Sequence, residues 1–339
     1  MNRRRFIMNS AAGSFAAFLT RNIQAFNMID GPAATPLSSE SLYDIFRNPV
    51  FTYHPFVRWW WNGNKVEAEE LKRELRLLKD AGISGVEINP VEFPSRFAGD
   101  DIGKPSLKWL SEERIDMLRV VFDEAKTLGM ICDLIVGSGW PFGAEYLEDE
   151  ERARIVVTGI KKLKGPIDYE ISLYEIFREA DPPVSSPFPG RTMELMSLHL
   201  VPDPLDDLSG VRSLEILKDQ NVFKISIPEG RYALYALVRI NGFMQVINGA
   251  PGATGPVLDH YNTVALKKYL SRMADAIEEK TGPLSQNIRA LFIDSMELEG
   301  ANWTPDMMEE FKRRRGYDIY PFLHLILFKT GAMGNVTDF

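Results

Sequence analysis

The chain has 339 residues, 45% of them hydrophobic and 25% charged, enough to bury one large core or a core plus a smaller module, and too apolar for a disordered chain. Its net charge is −8, and since residues 1–25 hold four arginines and no acid, the remainder carries −12; an acidic body of that kind excludes nucleic acid as a partner. Cys132 stands alone, which excludes an internal disulfide and thiolate metal clusters.

Arg3-Arg4-Arg5-Phe6-Ile7 precedes a weakly apolar stretch at 8–19, then small residues and Arg21. This reads as an export signal of the twin-arginine type over residues 1–25, with a periplasmic or extracellular destination. The stretch is too short to be a stable membrane span. Residues 26–40, with Gly31, Pro32 and Pro36, read as a linker, and order is expected to begin near Ser41. The run FVRWWWNG at 56–63 is a predicted strand. Behind it, residues 66–81 place Leu71, Leu75 and Leu78 on one helical face. GVEINPV at 85–91 starts a second unit, whose helix over 111–128 opens with Ser111 and the acids Glu112 and Glu113, suited to the positive end of a helix dipole. MICDLIVG at 130–137 is a third strand, with Cys132 at a buried position. Three βα units in succession predict a parallel sheet, either a barrel or an open doubly wound sheet.

The rhythm breaks over 151–240, where short β-prone runs (ARIVVTGI, IDYEISLY, MELMSLHLV, VFKISI, RYALYALVRI) alternate with Pro, Gly and Asp. It resumes with a helix over 262–279, the strand IRALFIDS at 288–295 and a helix over 305–315, started by Thr304-Pro305. The predicted fold class is therefore α/β: the N-terminal part of a (β/α)8 TIM-type barrel, about four βα units, interrupted by an inserted β-rich module. Barrel residues fall at 41–150 and 241–339, and the insert at 151–240. A closed eight-stranded barrel needs about 250 residues, so the chain reads as part of a longer parent.

In such folds the chemistry sits where strands end and loops begin. Here those ends carry Trp60, Trp61 and Asn62; Glu87 and Asn89; Ser138-Gly139-Trp140; and Asp294-Ser295-Met296-Glu297. Indole faces stack on the C–H faces of sugar rings, and hydroxyls need carboxylate and amide partners. Cleaving a glycosidic bond takes one carboxylic acid to protonate the leaving oxygen and a second carboxylate across the ring. Glu297 is the expected catalytic acid, although DSMELEG also offers Asp294 and Glu299, and the alternative is a cluster serving helix caps and ion pairs. Among the three tryptophans, alternation places Trp59 and Trp61 on one side of the strand and Trp60 on the other, with at least one in the core. Asp259-His260-Tyr261, in the segment re-entering the barrel, is a further candidate to line a site. The four histidines, His54, His199, His260 and His324, lack zinc spacing. GSGWPFG places its third glycine one residue late for a dinucleotide loop, with Pro141 where a helix would open.

The blocks RWWWNGNKVEAEELKRELRLLKDAGISGVEINP, GSGWPFG, APGATGPVLDHYN and DSMELEGANWTPDMMEEFKRRRGYDIYPFL resemble, in this order over roughly residues 50–325, glycoside hydrolase family 106, which contains α-L-rhamnosidases. The resemblance implies a calcium-assisted inverting enzyme on an (α/β)8 barrel interrupted by β modules, removing terminal α-L-rhamnose from plant or pectic glycans. By motif, Glu297 matches the general acid, while Trp140, Asp259, His260 and Asp294 fall near substrate or calcium. The general base is then expected downstream of Phe339, so that the isolated chain would be inactive. The competing readings are a non-catalytic carbohydrate-binding protein and a barrel glycosidase for another sugar.

Overall fold

A computed structural model describes residues 39–94, 103–205 and 208–323. The export-signal and linker readings fall almost entirely outside these residues, as does His324. The chain divides into two units, Met1–Val50 and Phe51–Phe339. In the first, the described element is the helix α1 (Ser39–Arg47).

The second unit contains two four-stranded sheets. The parallel one runs in the order β1 (Phe56–Asn62), β2 (Gly85–Val91), β3 (Ile131–Ile135), β8 (Ala290–Phe292). The crossovers carry the helices α2 (Ala68–Asp80), α3 (Glu112–Leu128) and α5 (Thr263–Thr281). Ser111 caps α3 by accepting from the Arg114 amide at 3.3 Å, and Gly129 ends it with φ 64°, a left-handed turn that glycine adopts without strain. The helices pack on the sheet: Leu71 and Leu75 of α2, Leu118 and Phe122 of α3, and Tyr269 and Met273 of α5 bury against Trp59, Trp61, Val86, Ile88, Cys132 and Leu134. These strand residues alternate, as one face of a pleated sheet must. Each fully buried Leu or Ile here contributes about 1.5–3 kcal/mol.

β4 (Arg154–Ser172), β5 (Thr192–Pro202), β6 (Arg212–Leu214) and β7 (Val222–Asn241) form an antiparallel sheet in the order β4-β7-β5-β6. The five short runs expected from sequence are longer here. Gly165-Pro166 reads as a break, yet the ladder only shifts register between Gly165 and Ile167, because a bulge absorbs a residue that cannot donate. A helix unmarked in the sequence reading, α4 (Leu173–Ala180), follows β4 directly. Ser172 and Glu175 form a reciprocal capping box that stops the strand there. One core of this sheet gathers Ile155, Phe223, Val238 and Ile240, and the other gathers Val156, Tyr235, Leu237 and Trp303.

Two boundaries differ in the C-terminal stretch. The strand expected over 288–295 is three residues long, so Asp294 and Glu297 lie in irregular chain past its end. The helix expected at 305 is α6 (Met307–Arg315), preceded by a turn in which the Met307 amide donates to the Thr304 carbonyl at 3.2 Å.

Candidate active site

The sheet face opposite the helices carries Arg58, Trp60 and Asn62 of β1 and Glu87 and Asn89 of β2, in the register Arg58 to Glu87 and Trp60 to Asn89. Arg58 is the hub: Nε donates to Glu87 Oε2 at 3.3 Å and Nη1 to Asp294 Oδ2 at 2.9 Å. Its guanidinium lies 5.5 Å from the centre of the Phe292 ring. Two of the expected residues, Glu87 of β2 and Asp294 of the chain past β8, thus meet at Arg58.

Trp60 is 53% exposed, its ring centre 4.8 Å from that of Phe93, which is 6.3 Å from that of Trp140. Asn62 orients this row by accepting from the Phe93 amide through Oδ1 at 3.0 Å. Three rings in sequence, with carboxylates on the same sheet face, form a surface that can stack a sugar ring and bond its hydroxyls. Asn89 is buried, and neither polar atom of its amide has a hydrogen-bond partner among the described residues.

Trp61 requires a correction. It is 1% exposed, packs edge-on to Trp59 with ring centres 5.6 Å apart, and has the Arg114 guanidinium 5.7 Å from its ring centre. Strand alternation turns it into the helix-covered core, out of reach of a substrate on the open face.

The three acids of DSMELEG have different fates. Asp294 is held by Arg58, and Glu299 accepts from the Ser185 amide at 3.0 Å and also from the Ser185 hydroxyl. Glu297 is exposed, and its carboxylate has no hydrogen-bond or ion-pair partner among the described residues. Asp294 is thus ion-paired and Glu299 hydrogen-bonded, which leaves Glu297 unengaged.

GSGWPFG makes a backbone junction. Trp140 exchanges hydrogen bonds with Ile247 at 3.0 and 2.9 Å, and Ser138 Oγ joins Pro90 O to the Ala250 amide. A Cβ on Gly139 would stand 2.4 Å from Ile247 O, and one on Gly143 2.1 Å from Pro256 O, so these glycines serve close chain contact. The same returning segment leads to Asp259 and His260, both expected near substrate or calcium. Asp259 is 1% exposed, accepts from the Tyr261 amide at 3.0 Å and has Oδ2 3.9 Å from Arg154 Nη1. Burial raises its carboxyl above the ordinary range against the pull of Thr304, Tyr261 and Arg154. Asp259 also closes the turn ahead of α5, where the Asn262 amide donates to its carbonyl at 3.1 Å. His260 is half-buried with its ring centre 4.5 Å from that of Phe142. Its Nδ1 donates to Leu258 O at 2.7 Å, and burial depresses the imidazole to about 4. His54 and His199 likewise bond Gly82 O and Ser213 Oγ.

Among the described residues, no group of three or more His, Cys, Asp or Glu side chains converges to hold a metal ion. Glu87 and Asp294 are bridged by Arg58. No helix of the described residues is long and apolar enough to cross a membrane.

Sequence reasoning missed Arg58 and Phe93. Arg58 was legible as the residue alternating with Trp60 on β1; Phe93 lies past β2 and joins the row only through the Asn62 contact.

The chain is mixed α/β with a parallel sheet whose open face carries aromatic rings and carboxylates, and it is similar in sequence and fold to glycosidases. Residues 216–333 match the model of glycoside hydrolase family 106, alpha-L-rhamnosidase, and this stretch, about a third of the chain, is similar to that family. The solved structure of a rhamnosidase from Novosphingobium sp. PP1Y superposes with a TM-score of 0.55 at 16% identity, over 84% of this chain and 42% of that one. A curated protein of Formosa agariphila, provisionally named a beta-glucuronidase, is 23% identical over 346 residues, 94% of this chain and 28% of its own length. The chain thus spans less than half the length of these two proteins.

Proposed function

We propose that this chain carries the general acid and the sugar platform of an inverting α-L-rhamnosidase that removes terminal α-L-rhamnose from plant or pectic glycans. In this reading β1, β2, β3 and β8 are neighbouring strands of a (β/α)8 barrel. The observation that carries it is the isolation of Glu297. Of the three acids in DSMELEG it alone is exposed and unpaired, and it lies within the stretch that matches the rhamnosidase family.

Glu297 in its protonated form donates to the glycosidic oxygen as the bond to the anomeric carbon breaks. A second carboxylate takes a proton from water attacking the opposite face, at a separation of roughly 6.5–9.5 Å that leaves room for the water. Trp60, Phe93 and Trp140 stack the ring, and Glu87 and Asn62 accept from and donate to hydroxyls. The twin arginines within Arg3-Arg4-Arg5 support export to the periplasm or beyond.

The test is release of the aryl group from an aryl α-L-rhamnoside by the natural full-length protein, with an aryl β-D-glucuronide as the control sugar. Glu297→Gln is expected to lower rhamnoside turnover by roughly 10²–10⁴-fold with binding retained. Turnover of the glucuronide alone, or an undiminished rate in the variant, refutes the reading.

A further inference from the structure

The stretch bearing Glu297 belongs to no helix or strand, since β8 ends at Phe292 and α6 begins at Met307. A carboxylic acid on such a chain is useful only if the backbone around it is held, because proton donation demands a fixed position beside the leaving oxygen. Two polar contacts flank it closely. Three residues before Glu297, Asp294 is gripped by Arg58 of β1 at 2.9 Å. Two residues after it, Glu299 is bound by the amide and hydroxyl of Ser185. Ser185 lies in the loop between α4 and β5, so one anchor comes from the parallel sheet and the other from a loop of the antiparallel region. Glu299 itself has φ 47° and is followed by Gly300 at φ 88°, so the chain turns sharply just where Ser185 holds it.

We infer that Arg58 is a positioning residue that fixes Glu297 through Asp294, with Ser185 as the second anchor of the same strap. Glu87 has a part in this, because it occupies Arg58 Nε at 3.3 Å and thereby aims Nη1 at Asp294. Lysine cannot reproduce the contact, since one ammonium lacks the two-sided planar fork that reaches both acids. This inference rests on the proposed role of Glu297.

The experiment uses the full-length protein and two α-L-rhamnosides, one with a 2,4-dinitrophenyl leaving group, which departs unaided, and one with an alkyl leaving group, which needs a proton. For Arg58→Gln, kcat on the alkyl substrate should fall by roughly 10²-fold, the scale of a misplaced catalytic group, while kcat on the dinitrophenyl substrate changes less than about threefold and KM stays near wild type. Arg58→Lys should show the same bias at an intermediate size, and Ser185→Ala a weaker version of it. An equal loss on both substrates, or none on either, overturns the inference. Glu297→Gln in parallel separates the two failures. A leaving-group bias in Glu297→Gln but not in Arg58→Gln overturns the positioning role alone, and its absence from Glu297→Gln overturns the acid assignment and this inference with it.

Discussion

Arg58 of β1 reaches Asp294 beyond β8 at 2.9 Å, although β1 and β8 are the two outermost strands of the parallel sheet. Three strand spacings of about 4.8 Å would put the two backbones roughly 14 Å apart on a flat surface. An extended arginine and an aspartate, with the hydrogen bond between them, span about that distance, and Asp294 lies past the end of β8. Side-chain reach joins the two edges of the sheet, and the hub of Arg58, Glu87 and Asp294 is its product.

Neighbouring tryptophans on β1 should behave oppositely. Trp61→Ala, in the core, should cost about 3–5 kcal/mol, read as a large drop in the denaturation midpoint. Trp60→Ala, on the open face, should stay within about 0.5 kcal/mol of wild type while raising KM for a rhamnoside several-fold. A stable Trp61→Ala protein would contradict the face assignment.

His260 should make stability fall in mild acid. Its imidazole is depressed from 6.5 to about 4 by burial, so the unfolded chain binds a proton between those values and the folded chain does not. The stabilisation is complete above pH 6.5 and is lost as pH falls toward 4, to at most about 3 kcal/mol. Melting curves of His260→Gln against wild type over pH 7 to 4 should converge as pH drops; parallel curves would remove His260 from the effect.

Cys132 should be chemically silent. Burial, with Asp133 beside it, pushes the thiol up to about 12, so almost no thiolate exists at pH 8. A thiol-specific disulfide reagent should leave the native protein unlabelled at that pH and react stoichiometrically after denaturation.

Asp133 should hold the short strand β8 in register. Its Oδ1 accepts from Arg289 Nε and from the Ala290 amide, both at 3.1 Å, and Oδ2 accepts from Arg289 Nη2. Asp133→Ala leaves the Ala290 N–H without that acceptor and should cost roughly 1–3 kcal/mol. A larger fall in kcat than in the corresponding Trp60→Ala protein would show that register of β8 also sets the strap beyond it.

Where local pattern and packing agree, the sequence was legible. β2 falls at Gly85–Val91 as its apolar run predicts, α3 is capped by Ser111, and Trp59, Trp60 and Trp61 alternate as a strand requires. Where a ladder or a cap overrides composition, it was not. Gly165-Pro166 looks like a strand end and is a bulge; Ser172 with Glu175 starts a helix inside a β-prone run; IRALFIDS is β-prone throughout and pairs over three residues.

By itself, the sequence determined which residue types stand at the strand ends and which family the chain is like, because periodicity and motif spacing are local properties carried along the chain. Only the tertiary structure decided their roles. Burial took Trp61 into the core, and the chain past β8 carries Asp294 to Arg58. Of the three carboxylates within six residues, it left Glu297 alone unpaired. Those outcomes depend on what another strand or loop places opposite each side chain, and spacing along one strand does not encode it.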